Sequence, residues 1–395
     1  MSLSNKFLNI EASPTLAIDS KFKQMKADGM DVVGFGAGEP DFDTPMHIKE
    51  AAIKAIMDGK TKYTPASGTL EVKKAVCEKF MRDNGLDYKP SQIVVSNGAK
   101  QSLINALGAI LNPGDEVIIP APFWVSYTEM VKYNDGVSVI LPTVEENDFK
   151  ITPSQLEDAI TSKTKAIILN TPSNPTGMMY TADELKELAK IIVKHNIYVI
   201  SDEIYEHLLY DGNTHTSIAS FGEDIKDLTI IINGVSKTYA MTGWRIGFTA
   251  SNEKIAKLMA NVQSHTTSNP NSIAQAATVA ALSGPTDDLD AMKKAFDERR
   301  KYMVERINSI DGVSCRMPKG AFYVMMNIKQ LIGKTIAGVT INSANDFAQA
   351  FLDNCLVAVV PCNGFAAPEY VRWSYATSME NIKEGLDRLE KFLAM

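Results

Sequence analysis

Five short apolar runs, Gln92 to Val95, Glu116 to Ile119, Ala166 to Leu169, Ile197 to Ile200 and Leu228 to Ile232, each lead into a polar or glycine-rich turn. Helical patterns lie between them. Ser102 to Leu111 reads as one helix, and Thr181-Ala182-Asp183-Glu184 reads as a capping box that opens another, with Leu185, Leu188 and Ile192 on one face. Runs this short and this apolar, alternating with helices, predict a mainly parallel sheet covered on both faces, an α/β architecture. In such sheets ligands bind outside the carboxyl ends of the strands. The polar clusters of this chain fall at those ends.

The pattern changes near Asp288. A long charged helix over Ala291 to Ile307, short strands at Ala321 to Met326 and Val357 to Val360, and an amphipathic helix over Met379 to Leu393 predict a smaller α+β domain. The expected division is residues 43–287 as the large domain and 288–395 as the small one. Residues 1–42 are expected to join the small domain or cross to a partner subunit.

With 395 residues the chain is long enough for two domains. Its net charge of −7 and lack of a basic stripe argue against nucleic acid. The four cysteines (Cys77, Cys315, Cys355 and Cys362) are widely spaced, and the five histidines form no zinc-ligand pattern, so neither a disulfide framework nor a structural metal is expected. No run is long enough to span a bilayer, and the first residues do not read as a signal peptide. A cytoplasmic protein without membrane contact is the expectation.

Lys237 is delivered just beyond the run Leu228 to Ile232, after Ser236 and eight residues before Arg245 in Gly-Trp-Arg-Ile-Gly. A lysine at the edge of a core can lose its proton and become an amine nucleophile toward an aldehyde. Ser96-Asn97-Gly98-Ala99-Lys100 lies at a strand-to-helix turn. Backbone N–H groups at such a helix start suit a phosphate, although a glycine there can equally be structural. The chain has neither the P-loop nor the G-x-G-x-x-G pattern, so a phosphorylated ligand other than a nucleoside triphosphate or dinucleotide is implied. Asp202 ends the fourth run, where a carboxylate either caps a helix or meets a cationic partner such as a protonated ring nitrogen. Tyr205 follows on the same turn, and Asn174 sits between Pro172 and Gly177, where it is either a turn residue or a rigidly held amide.

These segments, together with Ala37-Gly38-Glu39-Pro40-Asp41-Phe42, Lys62-Tyr63-Thr64-Pro65, Pro122-Phe123-Trp124-Val125-Ser126-Tyr127 and Val371-Arg372-Trp373-Ser374-Tyr375-Ala376, occur in an order that resembles the class I, fold-type I aminotransferases dependent on pyridoxal 5'-phosphate. The resemblance spans essentially the whole chain and is nearest to bacterial aspartate aminotransferases of the Iγ subgroup. It implies roles residue by residue. Lys237 would hold the cofactor as an imine and then shuttle the substrate proton, while Asp202 would pair with the ring nitrogen. Tyr205 and Asn174 would bond the ring's phenolate oxygen, and Trp124 would stack on the ring. Ser96, Gly98, Ala99, Lys100, Ser236 and Arg245 would form the phosphate side of the cofactor site, with Tyr63 reaching the neighbouring subunit's phosphate in a homodimer with shared active sites. Arg372 would clamp the substrate α-carboxylate, assisted by Asn174 and Gly38.

For a dicarboxylic substrate the resemblance assigns the distal carboxylate to Lys100 and a polar contact to Thr15. Some relatives carry a basic residue shortly before that threonine, where this chain has Glu11 and Ala12. The implied reaction moves an amino group from aspartate or glutamate to a 2-oxo acid such as 2-oxoglutarate. The alternatives are an aromatic, kynurenine or prephenate aminotransferase, a β-lyase on the same fold, or a ligand-sensing regulator domain.

Overall fold

The computed structural model describes residues 3–11 and 14–395. The side chains of residues 14–17 and 19 lie outside that description, and with them the expectation for Thr15.

Seven strands form the central sheet: β1 (Ile93–Ser96), β2 (Glu116–Ala121), β3 (Val137–Pro142), β4 (Thr164–Asn170), β5 (Tyr198–Asp202), β6 (Thr229–Gly234) and β7 (Gly247–Ala250). Their order is β1-β7-β6-β5-β4-β2-β3, and only β7 runs antiparallel to its neighbours. Neighbouring side chains on a strand point to opposite faces. Ile230 and Ile232 therefore pack with the helices Ala99–Ile110 and Glu253–Thr266, while Ile231 packs with Leu70–Asn84 and Ser272–Ser283. Both faces are covered, which is why every residue of β6 is buried.

The expected parallel sheet is present, and its strands extend beyond the apolar runs at their carboxyl ends. Two strands lie outside those runs. β3 is a half-exposed edge strand, and β7 is four residues long with the composition Gly-Phe-Thr-Ala. The capping box forms as expected: Thr181 Oγ1 accepts from the Glu184 N–H at 3.3 Å and Glu184 Oε2 from the Thr181 N–H at 2.7 Å.

The C-terminal part carries a four-stranded antiparallel sheet of β8 (Ser314–Cys315), β9 (Tyr323–Asn327), β10 (Val360–Pro361) and β11 (Tyr370–Ser374), ordered β10-β11-β9-β8. The long helix runs Asp287–Asn308, and the last helix runs Met379–Leu393, burying Ile382, Leu386, Leu389 and Phe392. Val33–Gly34 pairs parallel with Val357–Ala358, so residues just before the Gly36–Glu39 stretch are tied to the C-terminal part.

Behind the carboxyl end of β5 lies a buried ion pair. Lys79 contacts Glu206, and both are almost wholly buried. Lys79 also donates to Asn84 at 2.7 Å, while Asn84 and Asn233 donate to the two Glu206 oxygens at 2.9 and 2.7 Å. Burial would raise the Glu206 carboxyl, but Lys79 and then His207 and His215 outweigh it and hold it well below the usual carboxylate range. A group depressed in the folded state stabilises it above its unfolded value and stops doing so as pH falls. Lys79→Met leaves a buried carboxylate without its cation, so denaturant titration at pH 7 should show a loss of ~3–5 kcal/mol. The deficit should shrink as the pH is lowered below about 4.

Candidate active site

A cavity of about 450 Å³ opens at the carboxyl ends of the central strands. Its floor comes from β4, β5 and β6 and the turns after them, and its roof from Gly36–Glu39, Tyr323 and Arg372. The parallel register sets Asp202 beside Ile232 on the neighbouring strand, and Lys237 follows three residues beyond the end of β6.

Lys237 is partly buried, and its amine donates to the Gly38 carbonyl. Burial pushes it down to about 8; Glu39 and Asp202 oppose that shift, while Arg245 and Arg372 add to it. Asp202 is buried. It accepts from Tyr127 Oη at 2.7 Å and from the Ile204 N–H at 3.3 Å. Burial raises its carboxyl to about 6 against these two hydrogen bonds. Among the described residues Asp202 forms no direct ion pair, and such a carboxylate is suited to receive a cation.

Asn174 is held from both sides. Its N–H donates to Asn170 Oδ1 at 2.8 Å, and its own Oδ1 accepts from Arg372 Nη1 at 2.9 Å. Arg372 lies within β11, opposite Met325, and is buried, with its guanidinium 4.3 Å above the Tyr323 ring. Its Nη2 donates at 3.0 Å to the carbonyl of Gly36, while the carbonyl of Gly38, which also lines the cavity, accepts from Lys237. Tyr205 Oη meets Tyr323 Oη at 3.1 Å, joining the floor to the roof.

The anion cradle is assembled around Arg245. Gly98 has φ +85° and lies so close to the Arg245 guanidinium that any Cβ there would collide with it. Ala99 starts the following helix, and Ala99, Lys100, Ser236 and Arg245 all line the cavity. Lys100 Nζ sits 4.8 Å over the Trp124 ring, and burial followed by the nearby Arg245 lowers its amine. Ser96 departs from expectation. It is fully buried as the last residue of β1, its hydroxyl facing Asn105 at 3.5 Å, and it does not line the cavity. Tyr63 is 91% exposed and away from this cavity.

Residues 30–389 match the aminotransferase class I and II family. The chain belongs to that family. Across 100% of this chain it is 48% identical to the aspartate aminotransferase of Bacillus subtilis, covering 99% of that protein. It is 48% identical to the aspartate/prephenate aminotransferase of Cereibacter sphaeroides, over 99% of this chain and 98% of the relative. The solved aspartate aminotransferase of Thermus thermophilus with maleate superposes with a TM-score of 0.94 at 41% identity, both chains covered in full. The family and the α/β fold suggested by the motifs are thus the ones found, and the chain is an aminotransferase.

Tyr127, Tyr323 and Gly36 reach this aminotransferase site without having been singled out from the sequence. Tyr127 stands inside a quoted motif, but its partner Asp202 is 75 positions away, and no local spacing signals that contact. Because Asp202 is raised in the folded state, its charge costs stability as pH rises through about 6. Asp202→Asn should therefore raise the melting temperature of the cofactor-free protein above about pH 6. Thermal scans across pH should show that gain vanishing below about pH 4, where the unfolded carboxyl is also protonated.

Proposed function

We propose that this aminotransferase uses pyridoxal 5'-phosphate to move the amino group of aspartate, or glutamate, to a 2-oxo acid such as 2-oxoglutarate. The observation that carries the reading is one cavity holding a desolvated amine, a buried carboxylate, the Arg245 cradle, and Lys100 and Arg372 as further cations.

The residues present fit the cofactor. Asp202, kept in place by Tyr127, matches a protonated ring nitrogen, and the space that only glycine allows at position 98 leaves Arg245 and the start of the helix at Ala99 for the phosphate. Ser236 lines the same end, Trp124 is available to the ring face, and Asn174 and Tyr205 to its phenolate oxygen. When bound, the ring supplies an electron sink for the charge released at the substrate Cα.

The side chains around it do the rest. Lys237, with its amine brought down to about 8, can carry a proton from the substrate Cα near neutral pH. Arg372 offers a planar fork to the α-carboxylate, and its hydrogen bonds to Asn174 and Gly36 fix that fork before substrate arrives. The distal carboxylate of a dicarboxylic donor is assigned to Lys100, and its position over Trp124 in the cavity lining supports this. Thr15 is assigned to the same end.

The relatives named for aspartate support this substrate class, and maleate, a dicarboxylate, accompanies the Thermus thermophilus structure. The name of the Cereibacter sphaeroides relative favours prephenate as a second acceptor to test. We further infer a homodimer in which Tyr63 reaches the partner's phosphate site; its exposure supports this. Residues 288–395 form the small domain that closes over residues 43–287; the pairing of Val33 with Val357 supports joining the end of the 1–42 segment to it, while Lys6, Phe7 and Glu11 reach Asp135, Tyr133 and Glu129 of the large domain. Among the described residues no helix is long and apolar enough to cross a membrane, and a cytoplasmic location is proposed.

A panel of amino donors with an oxo-acid readout tests the substrate assignment. Aspartate and glutamate should lead it, and pyruvate release without an acceptor would favour a lyase instead. Lys100→Met should lower kcat/KM for aspartate by roughly 10- to 100-fold, the loss of a hydrogen bond to a charged group, and leave an aromatic donor within about threefold of wild type. Co-expressed Tyr63→Ala and Lys237→Ala subunits should form hybrid dimers with one intact site each. A mixture no more active than the separate variants would argue against shared sites.

A further inference from the structure

The Gly36–Glu39 segment touches more of the site than its backbone role implies. The Gly36 carbonyl accepts from Arg372 Nη2 at 3.0 Å, and the Gly38 carbonyl accepts from Lys237. The next residue, Glu39, accepts from Thr242 Oγ1 at 2.6 Å, and the carbonyl of that same threonine accepts from Arg245 Nη1 at 2.9 Å. One short stretch thereby links the amine and both arginines. Among the described residues the cavity lining holds five cationic side chains, Lys23, Lys100, Lys237, Arg245 and Arg372, and two carboxylates, Glu39 and Asp202. Asp202 is engaged by Tyr127 on the floor, which leaves Glu39 as the acid of the roof.

We propose that Glu39 is a positioning residue for Lys237 and Arg245: clipped by the Thr242 hydroxyl, its carboxylate opposes the cavity's cations and holds the Gly36–Glu39 segment on the turn that presents Arg245. The inference rests on Lys237 being the reactive lysine of the function proposed above. Charges of both signs act on that amine. Burial lowers it most, Glu39 is the largest charge and raises it, Arg245 and Arg372 lower it, and Asp202 raises it. The other titratable groups of the lining are Lys23, Lys100, Tyr127, Tyr205 and Tyr323. Removing the Glu39 charge therefore makes Lys237 easier to deprotonate, and removing the tether lets the segment and Arg245 drift.

Two variants separate charge from tether. Glu39→Gln keeps a group that can accept from Thr242 but drops the charge; Thr242→Val keeps the charge and drops the tether. The cofactor-free proteins are labelled with acetic anhydride across pH, and acetylation of the Lys237 peptide is followed by mass spectrometry. In Glu39→Gln the labelling midpoint should fall, and a fall of about one unit from near 8 makes Lys237 roughly fivefold more reactive at pH 7. Thr242→Val should shift the midpoint less and weaken binding of inorganic phosphate, while Glu39→Asp should stay near wild type in midpoint. A Glu39→Gln midpoint equal to wild type overturns the proposal. So does phosphate binding unchanged in Thr242→Val. If Glu39→Gln does not fold, the Thr242→Val phosphate titration still decides. Borohydride reduction of the cofactor-loaded protein checks the underlying reading separately: an adduct on a lysine other than Lys237 would refute that reading and leave the labelling comparison intact.

Discussion

The carboxylate of Asp202, kept at the closed end of a core strand with no direct ion pair among the described residues, sets the terms for everything around it. Taking an acid out of water favours its neutral form, and Asp202 is accordingly raised to about 6. On the adjacent chain segment Lys237 is subject to the same desolvation with the opposite sign of charge and is brought down to about 8. The sheet fixes both at once, because the parallel register of β5 and β6 places their carboxyl ends side by side. Such an acid and amine are tolerated only where neighbouring groups compensate them. Tyr127, the Ile204 N–H, the Gly38 carbonyl and Glu39 provide that compensation.

The site is divided between two parts of the fold. The large sheet supplies acid, amine and anion cradle, whereas the smaller antiparallel sheet supplies Arg372 and Tyr323. Among the contacts that join the halves within the site are Arg372 with Asn174, Tyr205 with Tyr323, and Lys237 with Gly38. Each uses a group to which the proposed function assigns a ligand contact. The binding groups are thus already oriented by one another, which reduces the ordering cost of binding. The buried Lys79–Glu206 pair lies on the turn after β5, at the residue next to Tyr205.

Features with a local physical cause were legible in the sequence. The Thr181 capping box needs only residues three apart, and the Met379–Leu393 helix declares itself through its periodicity. Lys237, Asp202 and Asn174 stood out near strand ends and Arg372 through its motif, and they do converge on one cavity. Features that depend on long-range partners were not legible. β3 is a half-solvated edge strand whose Val139-Ile140-Leu141 run did not stand out as a strand, and β7 is short and glycine-led. Ser96 sits in the right motif, yet the pleat of β1 turns its hydroxyl toward Asn105 instead of the cavity. Glu39 reads as one acid in a loop until Thr242, some two hundred positions later, is seen to hold it.

The sequence by itself determined the class of fold and the kinds of groups available, because strand and helix periodicity and the motif residues are properties of neighbouring positions. It placed an amine and an acid just beyond two core strands, and two arginines in motifs further along the chain. Only the tertiary structure decided what state those groups are in and which of them face one another. Protonation depends on burial and on charges brought in from distant segments, and neither is encoded at the residue that titrates.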